Sequence, residues 1–194
     1  MPSPDPSYPH PDEQHAPDHD DARQLFTDVL HHVDQRELET AAQLLEQLPF
    51  EALDATSTLS ARALALQLAI DQARYNDAMV HAAAALDLTE EEPLVYHLLG
   101  QALWATGDIR TGADAIVRAA ELLQTLEASN QPMQLPVDPL SVYFMAGEAC
   151  QYYEQYQAAL AFFQQAQRHT PTNEAASQAI KEVQATMDAS NQAA

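Results

Sequence analysis

Eight histidines and one cysteine are the side chains of this 194-residue sequence best suited to hold a metal, move a proton or act as a nucleophile. His10, His15 and His19 stand among Asp12, Asp18, Asp20 and Asp21, a donor set that could collect a transition metal loosely. The first 20 residues, however, hold six prolines with Ser and Asp and almost nothing to bury. That composition reads as a disordered arm over 1–20, and ordering it round an ion costs entropy that it cannot offset. His31 and His32 are adjacent on an expected helix and point in different directions. His81, His97 and His169 fall in separate helices and read as surface or groove residues. Cys150 is the only cysteine, which excludes an intramolecular disulfide and a cysteine-rich zinc site; it reads as a small core residue. There is no nucleophile elbow or metalloprotease motif, and four glycines give little material for phosphate-cradling loops. Neither catalysis nor a metal or cofactor is expected.

The charge narrows the partners. Asp and Glu number 29 against 8 Lys and Arg, and Lys181 is the only lysine. Phosphate binding needs clustered cations, so nucleic acid is not an expected partner. A formal charge of −21 would also repel an anionic leaflet. It keeps the chain soluble by self-repulsion or steers a basic partner towards it. Met1-Pro2-Ser3-Pro4-Asp5 lacks a cationic n-region and an apolar h-region, and no apolar stretch approaches the roughly 18–20 residues of a membrane span. A soluble cytoplasmic protein without direct membrane insertion is expected.

The elements that position these residues are helices of a fixed stride. From Asp21 onwards Ala, Leu and Gln recur at helical spacing, and Pro49, Pro93, Pro132, Pro136, Pro139 and Pro171 punctuate rather than interrupt them. In Leu140 to Asn173, Tyr143 takes the fourth place, Ala146-Gly147 the seventh and eighth, and Tyr156 the seventeenth, followed by Ala159, Phe163, Ala166 and Pro171. This resembles the tetratricopeptide repeat, a 34-residue helical hairpin. The same ruler fits Pro93 to Leu126 through Tyr96, Leu99-Gly100, Gly107-Asp108, Ile109, Ile116 and Ala119, with Gly112 where the family has Ala. Gly112 should loosen that contact slightly. Leu59 to Glu92 fits through Tyr75, Ala78, Ala82 and Ala85, although Leu66 stands where a small residue belongs. Ala22 to Ala55 is a weaker match through Leu25, Leu38, Ala41, Leu45 and Leu48, with Val29 in place of the small residue.

The expected fold is therefore all-α: a tetratricopeptide-like array of helical hairpins forming an α-α superhelix over 21–187. It comprises three clear repeats (59–92, 93–126, 140–173), a degenerate N-terminal hairpin (22–55) and a capping helix (174–187). Small residues at each helix crossing allow close approach, so Gly100 should face Gly112 and Gly147 should face Ala159. Ala176, Ile180, Val183 and Met187 line the capping helix, with Thr172 or Asn173 as its N-cap, and 188–194 should fray. Between the last two repeats 13 extra residues, 127–139, contain three prolines and should leave the array as a loop, passive or lining the binding surface. Acidic Glu90-Glu91-Glu92 should favour the next helix N-terminus through its dipole.

The resemblance implies that the first helix of each hairpin lines a concave groove. On the first clear hairpin this points to Leu64 and Gln67, beside Ser60, Ala63, Ile70 and Asp71. On the second it points to Leu94, His97, Leu98, Gln101 and Trp104, beside Ala105. On the third it points to Ser141, Phe144, Met145, Glu148 and Tyr152, beside Gln151. Grooves of this family that clamp a C-terminal carboxylate use Lys, Arg and Asn; Ala63, His97, Phe144 and Glu148 offer no such cations. An apolar floor with polar edges instead suits an extended segment of a client protein with hydrophobic anchors. Asp138-Pro139 leading into Ala146-Gly147-Glu148-Ala149-Cys150 further resembles the class II chaperones of type III secretion, which hold translocator subunits before export. That resemblance, over roughly Leu44 to Gln167, implies client contacts at the groove residues and allows a homodimer through the N-terminal helices. The alternative is a scaffold subunit that organises a complex without capturing a peptide.

Overall fold

The computed structural model describes residues 19–192, and every described regular element is helical. The chain divides between Asp54 and Ala55 into two compact units. In the first, α1 (His19–Asp34) packs against α2 (Leu38–Glu46), and a short 3-10 turn follows at Phe50–Ala52. Ala22, Val29, Ala41 and Leu45 form its interior. His19 and Asp20, expected in the arm, are instead the first turn of α1, with His19 Nδ1 2.6 Å from the carbonyl of Ala52. The rest of the expected arm, with His10 and His15, lies outside the described residues.

The second unit runs through α3 (Ala55–Asp71), α4 (Tyr75–Leu86), α5 (Pro93–Thr106), α6 (Ile109–Ser129), α7 (Pro139–Tyr152), α8 (Tyr156–His169) and α9 (Glu174–Gln192). Its helices begin where the residue types allow. Pro93 and Pro139 open α5 and α7, where a missing N–H costs nothing. The Asp108 carboxylate accepts from the Thr111 N–H, Asp138 accepts from Leu140 and Ser141, and Asn173 Oδ1 accepts from Ala176. Asn173 is thus the cap of α9.

The turn inside each hairpin repeats the sequence frame. Arg36, Ala73, Gly107 and Glu154, each the fifteenth residue of its frame, take positive φ of 61°, 56°, 92° and 59°. The next residue then donates its N–H to the eleventh: Glu37 to His32, Arg74 to Ala69, Asp108 to Leu103 and Gln155 to Cys150. Only one of these four turns has the glycine that left-handed backbone favours. Ala73→Gly should therefore raise the unfolding free energy by about 1 kcal/mol, measured by urea unfolding.

Packing within the unit depends on glycines. A Cβ on Gly100 would overlap Ile116 Cγ1 and stand 2.9 Å from the Gly112 carbonyl, while one on Gly112 would lie 2.9 Å from the Trp104 nitrogen and 3.0 Å from the Gly100 carbonyl. Gly112 therefore tightens the α5–α6 crossing to backbone contact; the loosening expected from the missing alanine does not occur. At Gly147 the nearest atoms belong to the Phe163 ring, from 2.5 Å, so the glycine makes room for Phe163 rather than principally for Ala159.

The insert departs most from expectation. Its first residues continue α6 to Ser129, which ends on left-handed Asn130. There Glu127 ties three helices together: Tyr143 OH donates to its Oε2 at 2.8 Å, and His169 Nε2 lies 3.0 Å from its Oε1. The Tyr143 and His169 rings stack with centroids 5.5 Å apart. Further on, Leu135 turns back and is buried in the cluster that holds Leu59, Leu66, Val95 and Leu98. Apolar burial thus returns the loop to the array. Glu92, expected as a dipole partner, is itself buried; burial raises its carboxyl pKa, with the Leu94 and Leu135 amides opposing the rise. Finally, α9 extends past the expected end at 187 to Gln192, because the alanine- and glutamine-rich end suits helix; the last two residues lie outside the described ones.

Candidate functional site

The first helices of the last two hairpins, α5 and α7, present their C-terminal halves to a common cleft of about 590 Å³. Gln101, Trp104 and Ala105 come from α5, Met145, Glu148 and Tyr152 from α7, and Ile116 from α6. Helical spacing explains the grouping: 101, 104 and 105 share one face, as do 145, 148 and 152. Trp104 and Tyr152 meet edge to face with centroids 5.7 Å apart, and Tyr152 is 62% exposed. Partial burial at the cleft wall raises the Glu148 carboxyl pKa.

A second depression of about 270 Å³ joins the first at Gln101. Gln67, Leu94, His97, Leu98 and Ser141 contribute to it, and Pro136, Val137 and Asp138 of the insert form its rim. The insert therefore lines the candidate surface rather than standing clear of it. His97 is only 5% exposed. Its Nε2 lies 2.8 Å from Gln101 Nε2 and 3.3 Å from Ser141 Oγ. An amide nitrogen can only donate, so Nε2 accepts and the ring proton rests on Nδ1, which has no partner. Burial holds the imidazole down to about 4, with Asp138 pulling the other way.

That depression has a pH consequence. Between about pH 4 and 6.5 the unfolded chain holds a proton at position 97 that the folded chain does not, so stability is lost as the pH falls through this window. The loss should reach about 3 kcal/mol. Glu92 and Glu148, both raised by burial, act in the opposite direction, so the readout is the difference between the wild type and His97→Asn in urea unfolding across that range. Parallel pH profiles would refute the assignment.

Two expected groove residues are largely taken up by packing. Leu98 reaches the second depression but is 2% exposed and buried mainly beside Leu66 and Val95. Phe144 packs against Phe163 with centroids 5.3 Å apart, serving the α7–α8 contact. Leu64 is half-buried and lines neither depression. Ile116 was missed because it lies on a second helix, where the frame signals packing; of the two readings left open for the insert the lining one fits, but which of its residues form the rim could not be read, since an insert has no register. Among the described residues no group of three His, Cys, Asp or Glu could hold a metal ion. Nor is any described helix long and apolar enough to cross a membrane.

No protein-family model matches the sequence, and no curated protein does so. Solved structures do. MamA aligns with a TM-score of 0.62 at 15% identity over 81% of this chain and 83% of its own. The TPR domain of Arabidopsis OM64 aligns with a TM-score of 0.53 at 16% identity, covering 67% and 97% respectively. The first TPR of Spaghetti (RPAP3), bound to the HSP90 peptide SRMEEVD, aligns with a TM-score of 0.51 at 14% identity, covering 66% and 94%. With helices, turn register and glycine crossings in the same frame, the chain has the tetratricopeptide-repeat fold.

Proposed function

We propose that this chain is a non-catalytic interaction module that binds an extended segment of a client protein across the cleft between α5 and α7. The supporting observation is the convergence of Trp104, Met145 and Tyr152 on one open cleft that Gln101 and Glu148 also line. Exposed aromatic surface beside polar groups is what an anchored peptide requires. RPAP3's bound peptide is acidic at its end; here the depressions carry Glu148 and Asp138 and no lysine or arginine, so a different peptide chemistry is expected.

The finer reading is a cytoplasmic chaperone of type III secretion holding a translocator subunit, supported by the Asp138-Pro139 and Ala146 to Cys150 resemblance. Leu30 and Leu38, exposed in the N-terminal unit, would serve a homodimer. Purification with a stoichiometric translocator-type client supports this reading; binding of other segments but never of such clients removes it. The scaffold alternative draws on a different surface, since Val80 of α4 is 65% exposed.

Trp104→Ala and Tyr152→Ala should each weaken a fluorescein-labelled client segment by about tenfold or more, read by anisotropy. Unchanged affinity in both variants, with unchanged helix content, contradicts the cleft as the binding surface.

A further inference from the structure

We propose that the segment seated in the α5–α7 cleft carries an arginine, its guanidinium placed against the Glu148 carboxylate and the rings of Trp104 and Tyr152, with apolar side chains on either side. This rests on the groove reading above and adds the chemistry of the occupant. Glu148 makes no ion pair or hydrogen bond among the described residues, although Gln101, Met145 and two aromatic rings surround the same space. Neither depression holds a cation of its own. A carboxylate held at a partly dehydrated wall gains from an incoming positive charge, and its raised pKa reports the same deficit. Aromatic faces beside it favour a planar guanidinium, which stacks and pairs with a carboxylate bidentately, over a strongly hydrated ammonium. Across the whole sequence, 29 acidic side chains against 8 basic ones draw a cationic segment inwards.

The test uses the full chain and synthetic heptapeptides that share apolar flanks and differ only in the central residue: arginine, its uncharged isostere citrulline, or glutamate. Trp104 is the only tryptophan, so its emission reports occupancy. The arginine peptide should bind about tenfold more tightly than the citrulline peptide at physiological salt. That preference should vanish in Glu148→Gln, and Glu148→Lys should favour the glutamate peptide instead. Position 148 is exposed, so both variants should keep the wild-type helix content. Equal binding of arginine and citrulline peptides overturns the inference and leaves the groove reading standing. So does an arginine preference that survives Glu148→Gln, since it then reflects only the charge of the whole chain. Failure of every heptapeptide to perturb Trp104 removes the groove reading and this inference with it.

Discussion

Phe163→Ala should lower the unfolding free energy by about 3–5 kcal/mol, the largest loss expected from any single truncation in the array. The ring is fully buried, touches Phe144 and fills the space that Gly147 leaves open. Removing it creates a void that the facing helix cannot fill, because position 147 has no side chain with which to collapse inwards. Urea unfolding should show the midpoint falling at an unchanged slope. The pair can also be tested as a cycle. Gly147→Ala should destabilise the wild type, where its Cβ meets the ring from 2.5 Å, yet stabilise the Phe163→Ala background, where it gains helix propensity and fills space. Additive effects would mean that the two residues do not share this contact.

Gly100→Leu should cost at least about 3 kcal/mol, at the upper end for overpacking, because the atoms it meets are largely backbone. The Gly112 carbonyl and the Ile116 nitrogen, 2.9 and 3.1 Å from the first added carbon, belong to helix α6 and cannot rotate away. Accommodation requires α5 and α6 to separate, which uncovers Ile116 and deforms the cleft above it. Thermal unfolding followed by circular dichroism measures the effect. A Gly100→Leu protein as stable as the wild type would mean that the crossing is not tight.

The repeat frame places the small residues and predicts the hairpin turns, since each of these depends on a local requirement: close approach at Gly100 and Gly112, or reversal of direction at Gly107. The left-handed backbone at Arg36, Ala73 and Glu154 was not legible, because none of the three is glycine; only their place in the frame, matching Gly107, marks them once tertiary packing has fixed the register. What could not be read there depends on distant partners. Leu135 finds its burial with residues of α3 and α5, and Glu127 gains Tyr143 and His169 only once α6, α7 and α8 are assembled. For the cleft, five of the positions implied by the family resemblance on α5 and α7, Gln101, Trp104, Met145, Glu148 and Tyr152, line one space. Leu98 and Phe144 belong to the same implied set, but Leu98 is mostly buried and the Phe144 ring packs on Phe163, so a repeat position alone does not separate floor from core.

Site-specific photocrosslinking in cells that express the chain distinguishes the α5–α7 cleft from the α4 surface. A benzophenone side chain in place of Tyr152 should yield a covalent adduct with one client protein, crosslinked through an extended segment, while the same group in place of Val80 should yield none. Adducts from position 80 with none from position 152 would contradict the cleft as the binding surface and favour the scaffold reading.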